Sequence, residues 1–147
     1  MEIGVDYTGI STLFYCNDGK GNFLFQKRSN KTRDEHGRWE VGGGKLEFGL
    51  SPEENVLKEL FEEYGCTGII QEQLPPYSMV REWNGKKTHW VLIPFFIKVD
   101  PREVKNNERE KIDEIGWFRL NALPRPLHQG VVRALQLYKD QFEKYRG

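Results

Sequence analysis

The chain has 147 residues, 22 Lys and Arg against 22 Asp and Glu, a formal charge of +0, and 37% hydrophobic and 13% aromatic residues. That length and apolar share suffice for one domain over residues 1–147 with a real core, while the balanced charge argues against a face built to grip duplex nucleic acid. Two cysteines, Cys16 and Cys66, make neither a disulfide scaffold nor a zinc site and are expected as buried reduced thiols; with an acidic start and no run of ~20 apolar residues, a soluble, cytoplasmic chain with no membrane partner is expected.

Residues 7–16 are rich in Thr, Ile, Leu, Phe and Tyr and read as a strand. A turn signal at 17–21 (NDGKG) leads into a second strand at 22–28, with Phe23 and Phe25 on one face and Leu24 and Gln26 on the other, paired back as a hairpin. Residues 29–38 (SNKTRDEHGR) form a long exposed loop. Trp39 to Val41 is a short apolar return before a turn of three glycines, Gly42 to Gly44.

Ser51, Pro52 and Glu54 mark a helix start: a Ser N-cap, a Pro in the first turn, and a Glu placed to close a capping box. Val56, Leu57, Leu60, Phe61 and Tyr64 then recur at helical spacing until Gly65. Strands follow at 66–71, 77–83 and 86–99, the last two joined by an Asn84-Gly85 turn, with Pro94 implying a bulge or an edge. A charged loop at 100–111, a strand at 115–120 and a C-terminal helix with a stripe of Val131, Leu135, Tyr138, Phe142 and Tyr145 complete a compact α+β arrangement.

The informative helix is the first. At about 100° per residue, Glu59, Glu62 and Glu63 fall within a sector of roughly 100° beside the apolar stripe. Like charges at these spacings cost a few tenths of a kcal/mol per pair, and acids toward a helix C-terminus oppose the dipole. A bound cation offsets both costs, and oxygen-only ligands select a hard ion, Mg²⁺ or Mn²⁺. The competing reading is a solvated acidic face.

The segment GGKLEFGLSPEENVLKELFEEYGC resembles the Nudix hydrolases: Gly44, Glu59, Leu60, Glu62, Glu63 and Gly65 match that family's box in register, with Leu50 in place of its first Glu, Lys58 in place of its Arg and Cys66 in place of its last aliphatic residue. The resemblance implies an α/β/α sandwich around a mixed sheet, with the catalytic helix following the Gly-rich loop. It further implies Mg²⁺ held by Glu59, Glu62, Glu63 and the Gly43 carbonyl, and hydrolysis of a phosphoric anhydride. Since Leu50 cannot accept a hydrogen bond, Lys58 is left to Glu47, Glu54 or Glu62. The family draws a further carboxylate from the loop before the last strand; counting back from Trp117, Glu110 is the first choice, Glu108 the second, and Glu114 a structural residue.

For substrate binding the candidates are Arg28, Trp39, Lys45 and His89, with Arg33, Arg81, Lys87 and Trp90 behind them. LEFG and the later THWV resemble nucleoside triphosphate diphosphatases, including those for modified purines, which release a monophosphate and pyrophosphate. ADP-ribose or another nucleotide sugar is the alternative substrate; a catalytically weak nucleotide-binding module is the alternative class. A small-molecule nucleotide is the expected partner, and the resemblance admits a homodimer.

Overall fold

A computed structural model describes residues 1–147. The elements are β1 (Gly9–Asn17), β2 (Asn22–Arg28), β3 (Trp39–Glu40), β4 (Gly42–Lys45), α1 (Pro52–Tyr64), β5 (Ile69–Gln73), β6 (Tyr77–Trp83), β7 (Lys86–Lys98), β8 (Ile112–Arg119), α2 (Gln129–Leu137) and α3 (Lys139–Glu143). All eight strands belong to one mixed sheet. At its centre β1 runs parallel to β7, from Gly9 opposite Trp90 to Asn17 opposite Lys98; every other pairing is antiparallel.

The hairpin partners β1 and β2 pair only near the turn, at Asn17 and Phe23, and then splay apart. Residues 39–45 fill the wedge: β3 pairs with β2, and after Val41 the chain crosses so that β4 pairs with β1, Ser11 through Phe14 against Lys45 through Gly42. The three glycines are therefore a strand rather than the expected turn. A Cβ on Gly43 would meet the Thr12 carbonyl oxygen at 2.2 Å, so the lack of side chains is what lets this strand lie so close.

Side chains alternate across the sheet, and each face carries its own core. Phe14, Cys16, Leu24, Phe95 and Ile97 pack against Val56, Leu60 and Tyr64 of α1; each fully buried apolar side chain contributes about 1.5–3 kcal/mol. On the other face Tyr15, Phe23, Phe25 and Phe96 meet Val131, Ala134, Tyr138 and Phe142 of α2 and α3. The result is the α/β/α sandwich. Both cysteines are buried and unbonded.

Helix α1 keeps its expected ends: the Ser51–Glu54 capping box is complete, and Gly65 closes the helix at φ 67°. Phe61, expected in the core, is instead 60% exposed. Pro94 sits at neither bulge nor edge. It lies mid-strand opposite Leu13, where the far side of β7 passes from β5 to β6 and Leu74 N–H reaches the Pro94 carbonyl; an N–H and C=O of one strand residue point the same way, so the missing donor faces that break. The expected strand at 66–71 begins later, at Ile69, the one at 115–120 earlier, at Ile112, and the C-terminal helix breaks at Tyr138. The 29–38 loop is not simply exposed, because Ser29, Asp34 and Glu35 are buried. No helix is long and apolar enough to cross a membrane.

Candidate active site

The wedge between β1 and β2 places helix α1 against the glycine strand. Asn55, a poor helix former, earns its place by its side chain: its amide donates to Thr12 Oγ1 at 2.9 Å and to the Lys45 carbonyl at 3.1 Å, while its oxygen accepts from Glu47 N–H at 3.1 Å. With α1 so anchored, Glu59 and Glu63 lie one turn apart against β4. Gly43 N–H donates to Glu63 Oε2 at 3.3 Å, and a Cβ on Gly44 would stand 2.3 Å from Glu59 Cδ.

A cavity of about 400 Å³ opens here, bounded by Glu40, Glu59, Glu63 and Glu108, with Lys45 and Lys111 on its rim. Ser11, Leu13, Arg28, Glu40, Val41 and Lys45 also border a neighbouring apolar chamber of about 280 Å³, lined further by Tyr15, Tyr77, Met79, Trp90 and Leu92. The two are halves of one cleft, acidic at one end and aromatic at the other.

None of Glu59, Glu63 and Glu108 is ion-paired. Burial, reinforced by the charges of Glu59, Glu40 and Glu108, pushes the Glu63 carboxyl up to about 9. Burial and then the Glu62 charge raise Glu59 as well. These are oxygen donors lacking a compensating charge, the chemistry a hard divalent cation satisfies. No three acidic, His or Cys side chains are already drawn into a metal cluster, so an ion would take oxygens from separate walls and complete its shell with water.

Glu62 does not join the other two. It is exposed, with its carboxylate 2.5 Å from Lys58 Nζ, and Glu47 lies 3.2 Å from the same nitrogen. The variant box thus resolves itself: with Leu50 unable to pair, Lys58 is shared by Glu62 and Glu47, while Glu54 is held by the capping box. Of the loop acids, Glu108 reaches the cavity. Glu110 is exposed and contributes only its carbonyl, to Ser29 Oγ, and Glu114 is exposed on β8 opposite Lys27.

Among the expected substrate contacts, Lys45 borders both halves of the cleft. Arg28 does too, but its guanidinium is committed to Asp34 and Glu40 at 3.0 and 2.9 Å. Trp39 is core, 8% exposed and edge-on to Phe118. His89 contacts Thr8 at 3.1 Å; the period of two along β7 puts Trp90 and Leu92 on the chamber side and His89 on alternate sides from Trp90. Trp90 is thus the aromatic candidate in place of Trp39.

Glu40, Asn55 and His128 were not expected. Each acts across at least seven residues of sequence: Glu40 accepts from Gln26 and Arg28, and His128 joins a buried latch with Glu35. His128 Nδ1 accepts from Gly130 N–H at 2.8 Å, which assigns the proton to Nε2, 2.9 Å from Glu35 Oε2. Glu35 also receives Gln129 N–H and the Arg81 guanidinium. Although burial alone would raise it, these donors hold Glu35 down at about 2. The only signal for Glu40 was a single acid between two apolar residues before the glycines.

The family model described as "NUDIX domain" matches residues 8–141. An RNA pyrophosphohydrolase of Acidiphilium cryptum (strain JF-5) is 22% identical over 132 residues, covering 77% of this chain and 80% of that protein. The crystal structure of a MutT NUDIX hydrolase from Burkholderia pseudomallei superposes with a TM-score of 0.73 at 26% identity, over 88% of this chain and 96% of that one. A MutT protein from Methanosarcina mazei Go1 gives 0.65 at 26%, over 94% and 92%.

Proposed function

The chain belongs to the Nudix family of pyrophosphohydrolases, and on that premise we propose that it hydrolyses a nucleoside triphosphate to a monophosphate and pyrophosphate with a divalent cation held by Glu59, Glu63 and Glu108. The observation carrying this reading is the divided cleft, unpaired carboxylates at one end and an aromatic chamber at the other, joined through Lys45 and Arg28. A base in the chamber beside Trp90 leaves a short phosphate chain to reach the acids.

Bound Mg²⁺ or Mn²⁺ would neutralise diphosphate oxygens and lower the pKa of a bound water. The chain's own groups do the rest. Glu63 and Glu59, set against β4, offer oxygens to a cation, and Glu63 gives up the proton that otherwise relieves its repulsion with Glu59 when the cation binds. The backbone of Gly42–Lys45 comes close because no side chain intervenes. Lys45, free of any carboxylate partner, is placed for the phosphate chain, whereas Arg28 braces Glu40. Glu108, from the loop before β8, lines the same cavity and completes the set of candidate ligands.

One further cleft, lined by Arg33, Arg81, Trp83 and Lys86, lies beside the chamber, but it forms no cationic track for RNA. Arg33 and Lys86 pair with Glu2, and Arg81 with Asp34 and Glu35. That favours a small nucleotide. The test is release of pyrophosphate and phosphate over a panel of nucleoside triphosphates, ADP-ribose and nucleotide sugars with and without Mg²⁺. Triphosphate turnover lost in Glu63→Gln and kept in Glu53→Gln is expected; tight nucleotide binding without turnover would make the chain a binding module instead.

A further inference from the structure

The first eight residues have almost no interior of their own. Met1, Glu2, Asp6, Tyr7 and Thr8 are exposed, and Gly4 alone is buried. The segment is nonetheless closed on itself. Gly4 N–H donates to the Tyr7 carbonyl at 2.7 Å, Val5 and Asp6 N–H donate to the Glu2 carbonyl at 3.2 and 2.8 Å, and Glu2 N–H donates to Asp6 Oδ2 at 2.6 Å. Ordering these residues costs conformational entropy, and the contact that offsets it lies outside them.

That contact is Trp90. Strand β1 begins at Gly9, directly opposite Trp90, and Met79 of β6 lies on the other flank. Cross-strand neighbours share a face, so the missing side chain at Gly9 opens room for the indole on the β1 side: a Cβ there would stand 2.5 Å from Trp90 Cζ3 and 2.6 Å from Cε3. Gly4 closes the same side. Its carbonyl accepts from the N–H of His89, the residue before Trp90, at 2.8 Å. Its φ of 80° suits glycine, and a Cβ on it would stand 2.6 Å from Trp90 Cζ2 and nearer still to Nε1 and Cε2. The two backbones hold one indole on its Nε1 side and on its Cε3 side, and the same residue lines the chamber. Further out, Thr8 Oγ1 meets His89 Nδ1 at 3.1 Å, and the Glu2 carboxylate reaches Arg33 and Lys86 at 3.3 and 3.5 Å.

We propose that the turn at residues 2–8 is a positioning element of the substrate site, which with Gly9 clasps the Trp90 indole in the orientation that stacks on a nucleobase. This rests on the reading that the chamber receives the base. A free indole would have to be ordered when the base arrives, which weakens binding; one already held by Gly4 and Gly9 has been ordered by folding. The coupling is reciprocal, so a bound base must tighten the clasp by the same factor by which the clasp tightens the base.

The experiment compares wild type, Gly4→Ala, Trp90→Ala and the double variant with Mg²⁺ present, measuring dissociation constants for GMP, AMP, UMP, CMP and inorganic tripolyphosphate, and KM and kcat for the triphosphates. Gly4→Ala is expected to weaken all four nucleotides by about three- to ten-fold, because stacking tolerates any base. It should leave tripolyphosphate within about two-fold and raise KM at nearly constant kcat. Trp90→Ala should weaken the nucleotides by at least about ten-fold, and in that background Gly4→Ala should add less than about two-fold. If Gly4→Ala does not fold, amide exchange of wild type decides: saturating GMP should slow exchange of the His89 N–H, whose acceptor is Gly4, at least about three-fold more than saturating tripolyphosphate does, and equal slowing overturns the clasp. Equal weakening of tripolyphosphate, an effect of Gly4→Ala that persists without Trp90, or unchanged nucleotide binding in Gly4→Ala while Trp90→Ala weakens it overturns the clasp and leaves the reading of the chamber standing. Unchanged nucleotide binding in Trp90→Ala overturns both.

Discussion

Two groups of buried charges flank the same cleft and are built on opposite terms. At the far wall, Arg28, Asp34, Glu35, Arg81 and His128 satisfy one another: every carboxylate meets a guanidinium, an imidazole N–H or a backbone N–H. At the acidic floor, Glu59, Glu63 and Glu108 face each other with one backbone donor, Gly43 N–H, among the contacts of Glu63. The wall shows what this fold does with charge it needs for its own integrity, which is to pair it. The floor, built from the same residue type, holds carboxyls the fold leaves without a cationic partner: in metal-free protein Glu63 is kept neutral by its raised pKa, and a cation is what stabilises its ionised form.

The largest expected effect breaks the floor. Glu63→Gln should lower Mg²⁺-dependent kcat by more than about 100-fold, beyond the loss seen for residues that merely orient a metal ligand. At pH 7.5 without metal it should nonetheless stabilise the protein by roughly 1–3 kcal/mol, since folding no longer has to protonate a buried carboxyl that is ionised in the unfolded chain. The wall responds in the reverse sense: Glu35→Ala leaves the His128 and Gln129 N–H groups without an acceptor and Arg81 with Asp34 alone, and should cost about 3 kcal/mol, read as a melting temperature lowered by about 6–12 °C.

The pH dependence separates the two regions by sign. Glu35, held at about 2 against an ordinary 4.5, contributes stability that is present above pH 4.5 and lost as pH falls toward 2. Glu63, raised to about 9 from 4.5, contributes most below pH 4.5, and its contribution is lost as pH climbs toward 9 in metal-free protein. Melting curves against pH should show a shallower acid limb in Glu35→Gln and a shallower alkaline decline in Glu63→Gln than in wild type. Next in size, Gly44→Ala pushes a Cβ against Glu59 and should lower kcat about ten-fold while costing about 1 kcal/mol, because the flexible end of Glu59 can give way. Smallest of all, Lys58→Ala should leave the melting temperature essentially unchanged, its pairs with Glu62 and Glu47 being solvated, and Glu110→Gln should leave kcat within about two-fold where Glu108→Gln does not.

What the sequence made legible follows the range of the interaction that decides it. The α1 boundaries rest on contacts three or four residues apart, the Ser51–Glu54 box and the Gly65 cap, and these were readable. So were β2 and β6, whose alternation is local, and the sandwich itself through the box. Helical angle alone grouped Glu62 with Glu59 and Glu63, because 100° of arc does not say where the sheet lies; Lys58, one turn back, draws Glu62 out to solvent. The glycines read as a turn because glycine signals turns locally, while the cause of β4 is the close approach of β1. Trp39 and Trp90 were indistinguishable by type, and only the wedge, which buries one and leaves the other lining the chamber, tells them apart.

The cation at the floor can be tested without any substrate, by titrating metal-free protein with Mg²⁺ at pH 7.5 calorimetrically in two buffers of different ionisation enthalpy. With the Glu63 carboxyl near 9, it enters the titration protonated and must lose its proton to become a ligand. Wild type should release about one proton per chain on binding, and Glu63→Gln should release essentially none. Mg²⁺ binding with no proton release in wild type, or with equal release in both proteins, would contradict the assignment of Glu63 as the buried ligand.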